Sequence, residues 1–454
     1  MRKLSYLGAL ALATGACSEA PEMMMPDPMD TLRSGAAVEV VSVYESGAYT
    51  HPRLDGERRW FPTDLDVAPN GDLWVVQQME WNPAMDFDEE SDMCPTRAFG
   101  PFEDLNDYNC LELQGSTVTI PRPAEAGAAD RAQLIVDPNS LHFLRMPTSI
   151  AFGAAELTLA SDSPGNTDLA GLRIGQEELV FENTFATCHE HWTANATNQG
   201  PFIGPTLWTA DPSIYGNTSD AIRWGTDHRR PNGHLPNGNH LDMVHATQYC
   251  MGIAYEGDNV YWTFNGEEGT LDRYDFADPH IPGHFYHDDA IVSRIFLRDD
   301  DAPLARVRNV PSNMVIDGRE LYVADSGNGR ILKIDLDSSM TTVGSDFTFE
   351  ALPMDLMEDL GYEVLADDAS LDAVFGGGAV PSGLAVLDDE TLLVGDYTSG
   401  QIALLSRATG EAVRTLDTEL GEGLAGITVS DGQVFFVHRE ARAVYRLDVV
   451  PADG

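Results

Sequence analysis

Between residues 310 and 337, apolar and polar positions alternate in three short runs, "VPSNMVID", "ELYVAD" and "RILKID". The breaks fall at Asp317-Gly318 and at Gly327-Asn328-Gly329. Alternation at period two puts every second side chain on one face, as in a half-buried strand. Asp-Gly and Asn-Gly reach the positive φ that tight hairpins need. The stretch therefore predicts a three-stranded antiparallel meander. The same pattern recurs at 61–78, at 146–153 (resuming at 183–188), at 250–276, at 380–405 and at 424–449. Together these make six units. One meander cannot bury both of its faces, but copies set around an axis pack on one another. The expected fold is all-β, a six-bladed β-propeller spanning residues 37–450. The strand pattern at 37–46 precedes the first unit, and the sixth unit lacks a fourth strand. Val38 to Tyr44 is therefore expected to supply that strand, closing the ring and removing an open edge.

The repeat also sorts the insertions. In a propeller, the connection between strands 2 and 3 and the one leading into strand 1 share one face, here called the top. The 1–2 and 3–4 connections share the bottom. Residues 79–115 expand the first unit's 2–3 connection, and 352–378, with a short helical pattern, lead into the fifth unit. Both are expected as long top-face loops.

Composition adds compartment and charge. The chain has 454 residues, 43% of them apolar, which is enough for a large core. Asp and Glu number 73 against 27 Lys and Arg, a formal net charge of -46. Such a surface repels phosphate backbones, so nucleic acid is excluded as a partner, while cations are attracted. The N-terminus has a basic start (Arg2, Lys3), an apolar run from Leu4 to Ala13 too short to span a bilayer, and small residues before Cys17. Residues 18–36 lack periodicity and read as a flexible tether. Four cysteines remain besides Cys17, an even number that suits two disulfides in an exported protein. Cys94 and Cys110 flank one short loop and are expected to pair. That leaves Cys188 with Cys250, both on top in neighbouring blades.

Two resemblances follow from these residues. "MRKLSYLGALALATGAC" resembles the bacterial lipoprotein signal, although Thr14 stands where that family has an aliphatic residue. It implies a signal peptide over residues 1–17 and lipidation of Cys17. The chain is then exported and lipid-anchored in the bacterial envelope, at the outer membrane, or else periplasmic or extracellular after an ordinary signal peptide. "VPSNMVIDGRELYVADSGNGRILKID" and "VPSGLAVLDDETLLVGDYTSGQI" resemble the NHL repeat. "HLDMVHATQYCMGIAYEGDNVYWTFNG" and "HFLRMPTSIAFG" are similar, more narrowly, to secreted bacterial NHL-type proteins. The resemblance implies the propeller fold and no particular chemistry. In it, Asp325 and Asp396 stand at the repeat's own aspartate and are expected to bind backbone amides. The peptidyl-hydroxyglycine lyases are propellers of similar repeat and place zinc-binding histidines straight after the strand-opening proline. Here those positions are Thr63, Thr148, Met251, Ser312, Ser382 and Ala425, none of them histidine.

The candidate chemistry lies at the top. His189 and His191 follow Cys188, and His240 and His245 precede Cys250, so the disulfide would draw them together. Imidazole suits zinc, and Glu190 or Asp242 could complete such a set. His142 and His438 are also top-side. Thr63, Ser312 and Ser382 would ring the channel mouth and, with His438, hold water or a polar ligand. His280, His284 and His287 fall on the bottom, too far to join. Asp162, Asn166 and Asp168 offer oxygen ligands for calcium without the full calcium-loop pattern. No Gly-x-Ser-x-Gly elbow, P-loop, dinucleotide fingerprint or His-Glu-x-x-His occurs. Two functions remain. One is a membrane-tethered binding module that takes a ligand or protein on its loop-rich top face. The alternative is a metal-dependent lyase or hydrolase with a histidine site at the top of the channel.

Overall fold

The computed structural model describes residues 32–34, 36–50, 57–79, 115–136, 144–166, 178–191, 203–216, 239–282, 284, 286–297 and 302–450. Six four-stranded antiparallel blades form the propeller. Blade 1 has strands Glu57–Val67, Leu73–Met79, Gly115–Ile120 and Gln133–Ile135. Blade 2 has Pro147–Phe152, Thr184–His189, Thr206–Thr209 and Asp242–Met243, and blade 3 has Cys250–Gly257, Val260–Asn265, Thr270–Asp275 and Ile291–Ile295. Blade 4 has Met314–Asp317, Glu320–Asp325, Arg330–Asp335 and Tyr362–Ala366. Blade 5 has Pro381–Val386, Thr391–Asp396, Gln401–Ser406 and Ala412–Asp417. Blade 6 has Leu424–Ser430, Gln433–His438 and Ala443–Val449, and Val38–Glu45 is its outer strand.

Closure is as the pattern implied. Val38 pairs with Val449 and Glu45 with Ala443, so strands from the two ends of the propeller share one sheet and the ring has no open blade. The core lies between blades, where second and third strands bury Val, Leu, Ile and aromatic side chains on both faces. The repeat's polar positions work locally. Asp325 accepts from the Ala305 amide and from Arg330 Nε, and Asp396 accepts from the amides of Val380 and Ser399.

Three departures from the expected layout matter. Residues 352–378 are not one top loop. Thr341–Phe347 and Pro353–Glu358 form a hairpin whose second strand extends blade 3 in parallel, and Tyr362–Ala366 is blade 4's outer strand. Only the helix Asp368–Phe375 matches the short helical pattern; Asp367 caps it by accepting from the Ser370 amide. Second, the tether ends early. Leu32 is buried beside blades 5 and 6, Arg33 pairs with Asp388, and Arg414 donates to the carbonyls of Leu32 and Ala36. Third, blade 2 carries a second hairpin, Glu156–Leu159 with Leu179–Glu182, between its first two strands. Residues 1–31, 80–114, 137–143 and 167–177 lie outside the described residues. Cys17, Cys94, Cys110, His142 and Asp168 are therefore not placed.

Candidate axial site and the histidines around it

Most inner strands open on the same irregularity. The ladder to the second strand slips between Pro62 and Asp64, Cys250 and Ile253, Pro381 and Leu384, and Leu424 and Ile427. The bulge frees one side chain for the neighbouring blade. Thr63 Oγ1 donates to the Pro147 carbonyl at 2.8 Å, Thr148 Oγ1 to Cys250 at 2.5 Å, and Ser382 Oγ to Leu424 at 2.7 Å. Ser312 bonds Ser326 Oγ at 2.9 Å, and Ser326 donates to the Pro381 carbonyl at 2.6 Å. Thr63, Ser312 and Ser382 are each 0% exposed. The hydroxyls expected to ring a ligand instead stitch neighbouring blades together at four of the six boundaries.

The following residue faces the axis. Blades 3, 5 and 6 have Gly252, Gly383 and Gly426 there; a Cβ on Gly252 would lie 1.9 Å from the Ser312 carbonyl oxygen. Blades 1, 2 and 4 have Asp64, Ser149 and Asn313, and these three meet. Asp64 Oδ2 accepts from Ser149 Oγ at 2.7 Å and the Ile150 amide at 3.0 Å, while Oδ1 accepts from Asn313 Nδ2 at 2.7 Å. Blades 1 and 4 are opposite in a ring of six, so this cluster bridges the axis. Burial pushes the Asp64 carboxyl up to about 6, against the opposing pull of these donors. Asn313 Oδ1 is buried without a hydrogen-bond partner. A protonated Asp64 could donate to that oxygen if the amide turned over.

Beyond this plug lies a cavity of about 340 Å³, lined by the later residues of all six inner strands, including Asp66, Ile150, Tyr255, Ile316, Leu384 and Ile427. It runs from the plug toward the 1–2 connections. Asp66 stands on its wall and accepts from the Phe152 amide at 2.7 Å. Burial raises its carboxyl to about 7, with the Asp64 charge adding to the effect. A cavity of mixed polar and apolar lining, with one perturbed carboxylate in its plug and another on its wall, is the arrangement expected of a small-ligand site.

The top-face histidines do not assemble as expected. Cys188 and Cys250 are bonded, with Cα atoms 5.1 Å apart. Yet His189, His191, His240 and His245 are not brought to one point. His189 Nε2 meets Thr187 Oγ1 at 3.1 Å. Burial holds its ring neutral, down to about 3, and the same cause lowers His191. Arg145, 1% exposed, adds to both shifts, and a buried guanidinium beside two imidazoles opposes a metal cation. Glu190 accepts from Asn309 N and Arg306 Nη1, and His245 Nδ1 pairs with Glu350. Among the described residues, the four histidines expected to hold a top-face metal therefore share no site. His438 Nδ1 accepts from the Ala441 amide and Nε2 donates to the Gly421 carbonyl, so its ring caps a turn. It stands where blades 3, 4 and 5 have Asn265, Asp325 and Asp396, each accepting backbone amides. Asn166 sits in a short turn with its amide on the Ala160 carbonyl.

His240 goes elsewhere. The two-residue outer strand Asp242–Met243 separates it from His245 and leaves it on blade 2's 3–4 connection. There it meets His280 and His287 from blade 3's 3–4 connection, with ring centroids 4.8 and 6.2 Å away. Among the described residues this is the one group of three whose possible ligand atoms all lie within 4.8 Å of one another. The expectation that these bottom-face histidines stand apart from the rest is overturned for His240. A missed residue is Asp64: nothing in a chain with 73 acids marked it, except its place two residues after the unit's opening residue 62.

These features define a six-bladed β-propeller with a plugged axial cavity. No family model matches the chain, and no curated protein matches it in sequence. Solved structures do. A Bacteroides thetaiotaomicron protein of unknown function is 9% identical, with 90% of this chain and 76% of that one covered and a TM-score of 0.43. An auxiliary nutrient binding protein from the same organism is 9% identical, with coverage of 91% and 76% and a TM-score of 0.42. Virginiamycin B lyase from Staphylococcus aureus is 9% identical, with coverage of 91% and 100% and a TM-score of 0.38.

Proposed function

We propose that this chain is an exported, membrane-tethered, NHL-type propeller that works as a binding module, taking a small cationic ligand with an apolar body into the axial cavity. The observation that carries this reading is the pair Asp64 and Asp66, one in the plug and one on the wall of a cavity of about 340 Å³ that also exposes Ile150, Ile316, Leu384 and Ile427. That volume is in the range of small-molecule sites. An ammonium group near the two carboxylates would relieve the cost of burying them charged. The net charge of -46 would raise the local concentration of such ligands. The loop-rich top face, 80–114 above all, remains in this proposal as a surface for a further ligand or protein and rests on the sequence.

The test is a thermal-shift and calorimetric comparison of small arylalkylamines with their neutral and carboxylate analogues. The amines should bind, more tightly as pH rises through 6–7, and Asp66→Asn should weaken them at least tenfold. Equal binding of the carboxylates, or an Asp66→Asn protein that binds amines unchanged, would overturn the reading. The tether is tested separately: Cys17→Ser should move the protein from the membrane to the soluble fraction, because acyl chains supply the anchor.

A further inference from the structure

We infer that His240, His280 and His287 form a site for one divalent transition-metal ion of the zinc class, tying the 3–4 connection of blade 2 to that of blade 3.

The ring nitrogens are set for it. His280 Nδ1 donates to the Ile281 carbonyl at 2.8 Å, and His287 Nδ1 donates to Asp242 Oδ1 at 2.6 Å. Fixing the proton on Nδ1 leaves the Nε2 lone pair of each ring available, as in metal-ligating histidines held by a carbonyl or carboxylate behind them. His280 Nε2 is buried and has no hydrogen-bond partner. Zinc binds imidazole nitrogen at about 2.0–2.1 Å, which puts three ligands roughly 3.3 Å apart on a tetrahedron. The ligand atoms now lie within 4.8 Å of one another, so binding would draw the three rings together.

Charge and backbone agree. Asp242 is 0% exposed; Oδ1 takes His287 and the Met243 amide, and Oδ2 is buried without a hydrogen-bond partner. Asp289 adds negative charge nearby. A divalent cation would supply the missing counter-charge, the reverse of the situation at His189 and His191 beside Arg145. The ligand segments are already docked: His280 N donates to the Leu241 carbonyl, and Ile281 N to Gly165. Gly165 permits this approach, since a Cβ there would lie 2.5 Å from the Pro279 carbonyl oxygen. Three nitrogens leave a fourth position for water or another ligand.

The test loads the chelator-stripped full chain with zinc, removes loosely held counter-ions in high salt, and measures zinc per chain. The expected result is one retained ion. His240→Ala and His280→Ala should each lower affinity more than a hundredfold, and Asp242→Asn ten- to a hundredfold. Cobalt in place of zinc should give the visible absorption of a low-coordinate nitrogen site, lost in the same variants. Failure of the wild-type chain to keep zinc overturns the site, as does full retention by folded His280→Ala. If the alanine variants do not fold, hydrogen exchange on the wild-type chain decides. Zinc should slow exchange at 239–242 and at His280 and Ile281, and no change there overturns the site.

Discussion

Blades 5 and 2 occupy equivalent places in one ring and are held in different ways. Blade 5 has four strands of six residues, joined by short turns at 387–390, 397–400 and 407–411. Its faces are aliphatic, with Leu384, Leu392, Val394, Ala403 and Leu405 packed against blade 4. Blade 2 ends in strands of four and two residues, and its connections run over 153–183, 190–205 and 210–241. A two-residue outer strand makes little ladder, so other bonds take over. Trp74, Phe152, Phe185, Trp208 and Tyr215 cluster between blades 1 and 2, with ring centroids 5.3–6.4 Å apart. The disulfide joins blade 2 to blade 3. Where local pairing is enough, side chains repeat. Where it is not, the chain places unusual residues, and the buried histidines gather there.

The largest effect should come from removing that cross-link. Cys188 and Cys250 are 62 residues apart in sequence, and freeing a loop of that length costs about 4 kcal/mol in the chain-entropy account. Denaturation of the Cys188→Ala, Cys250→Ala double variant measures it. Hydrogen exchange should show Thr206–Thr209 and Asp242–Met243 losing protection first, with the strands of blade 5 still protected. Uniform loss over all six blades would mean that the two blades are equally coupled to the ring.

The same contrast explains what was legible in the sequence. Alternation marked the regular hairpins of blades 3 to 6, helped by Asp-Gly or Asn-Gly in blades 3, 4 and 6, because six-residue strands carry three inward positions each. Asp242–Met243 carries one, which no period can reveal. His240 and His245 therefore read as a single loop, although the short strand between them puts them on different connections of the propeller. Tyr362–Ala366 was hidden for a different reason: the hairpin Thr341–Glu358 lies between it and its partner strand. The axial acids were illegible because their role arises from three blades meeting, a contact between residues 64, 149 and 313 that local patterning does not encode.

Asp64 gives the next effect. Its carboxyl rises from 3.8 to about 6 on folding, so the native state holds this proton more tightly than the unfolded chain. Its contribution is therefore greatest below about 4 and is lost as pH rises through 6, a change of about 2–3 kcal/mol. His189 acts oppositely: its lowered value favours the native state above 6.5, and that advantage fades as pH falls toward 3. The two overlap, so the informative quantity is a difference. Asp64→Asn, accommodated by turning the Asn313 amide, should be more stable than wild type by that amount at pH 8 and about equal to it at pH 4. Parallel stability curves for the two proteins would show that burial does not govern this carboxyl.

A smaller effect compares one repeat position in the two blades. Gly383 of blade 5 and Ser149 of blade 2 both follow the bulge. Gly383→Ala puts a Cβ 2.4 Å from the Ala425 carbonyl oxygen and should cost about 1–3 kcal/mol through overpacking. Ser149→Ala removes only the bond to Asp64 and should cost about 1 kcal/mol. Urea denaturation of both variants tests the order; the reverse ranking would mean that the plug, and not close approach of blades, sets the geometry of the axis.

The smallest effect lies in the hydroxyl stitches, where it probes the comparison most finely. Ser382 and Thr148 make equivalent bonds to the carbonyls of Leu424 and Cys250. At the first boundary, between blades 5 and 6, no disulfide among the described residues joins the blades. At the second, between blades 2 and 3, Cys250 is already held by Cys188. Met251 and Ala425 lack a side-chain hydroxyl at the same position, so a boundary can close without one. Ser382→Ala should therefore cost about 1 kcal/mol, the net worth of a buried hydrogen bond. Thr148→Val, which keeps the shape, should cost less while the disulfide is intact. In the double cysteine variant its cost should rise to match that of Ser382→Ala, because the stitch then holds the boundary alone. A double-mutant cycle between Thr148 and the cysteine pair measures this coupling. If the cycle gives none, the disulfide and the hydroxyl act on separate motions, and blade 2 is held to blade 3 by each independently.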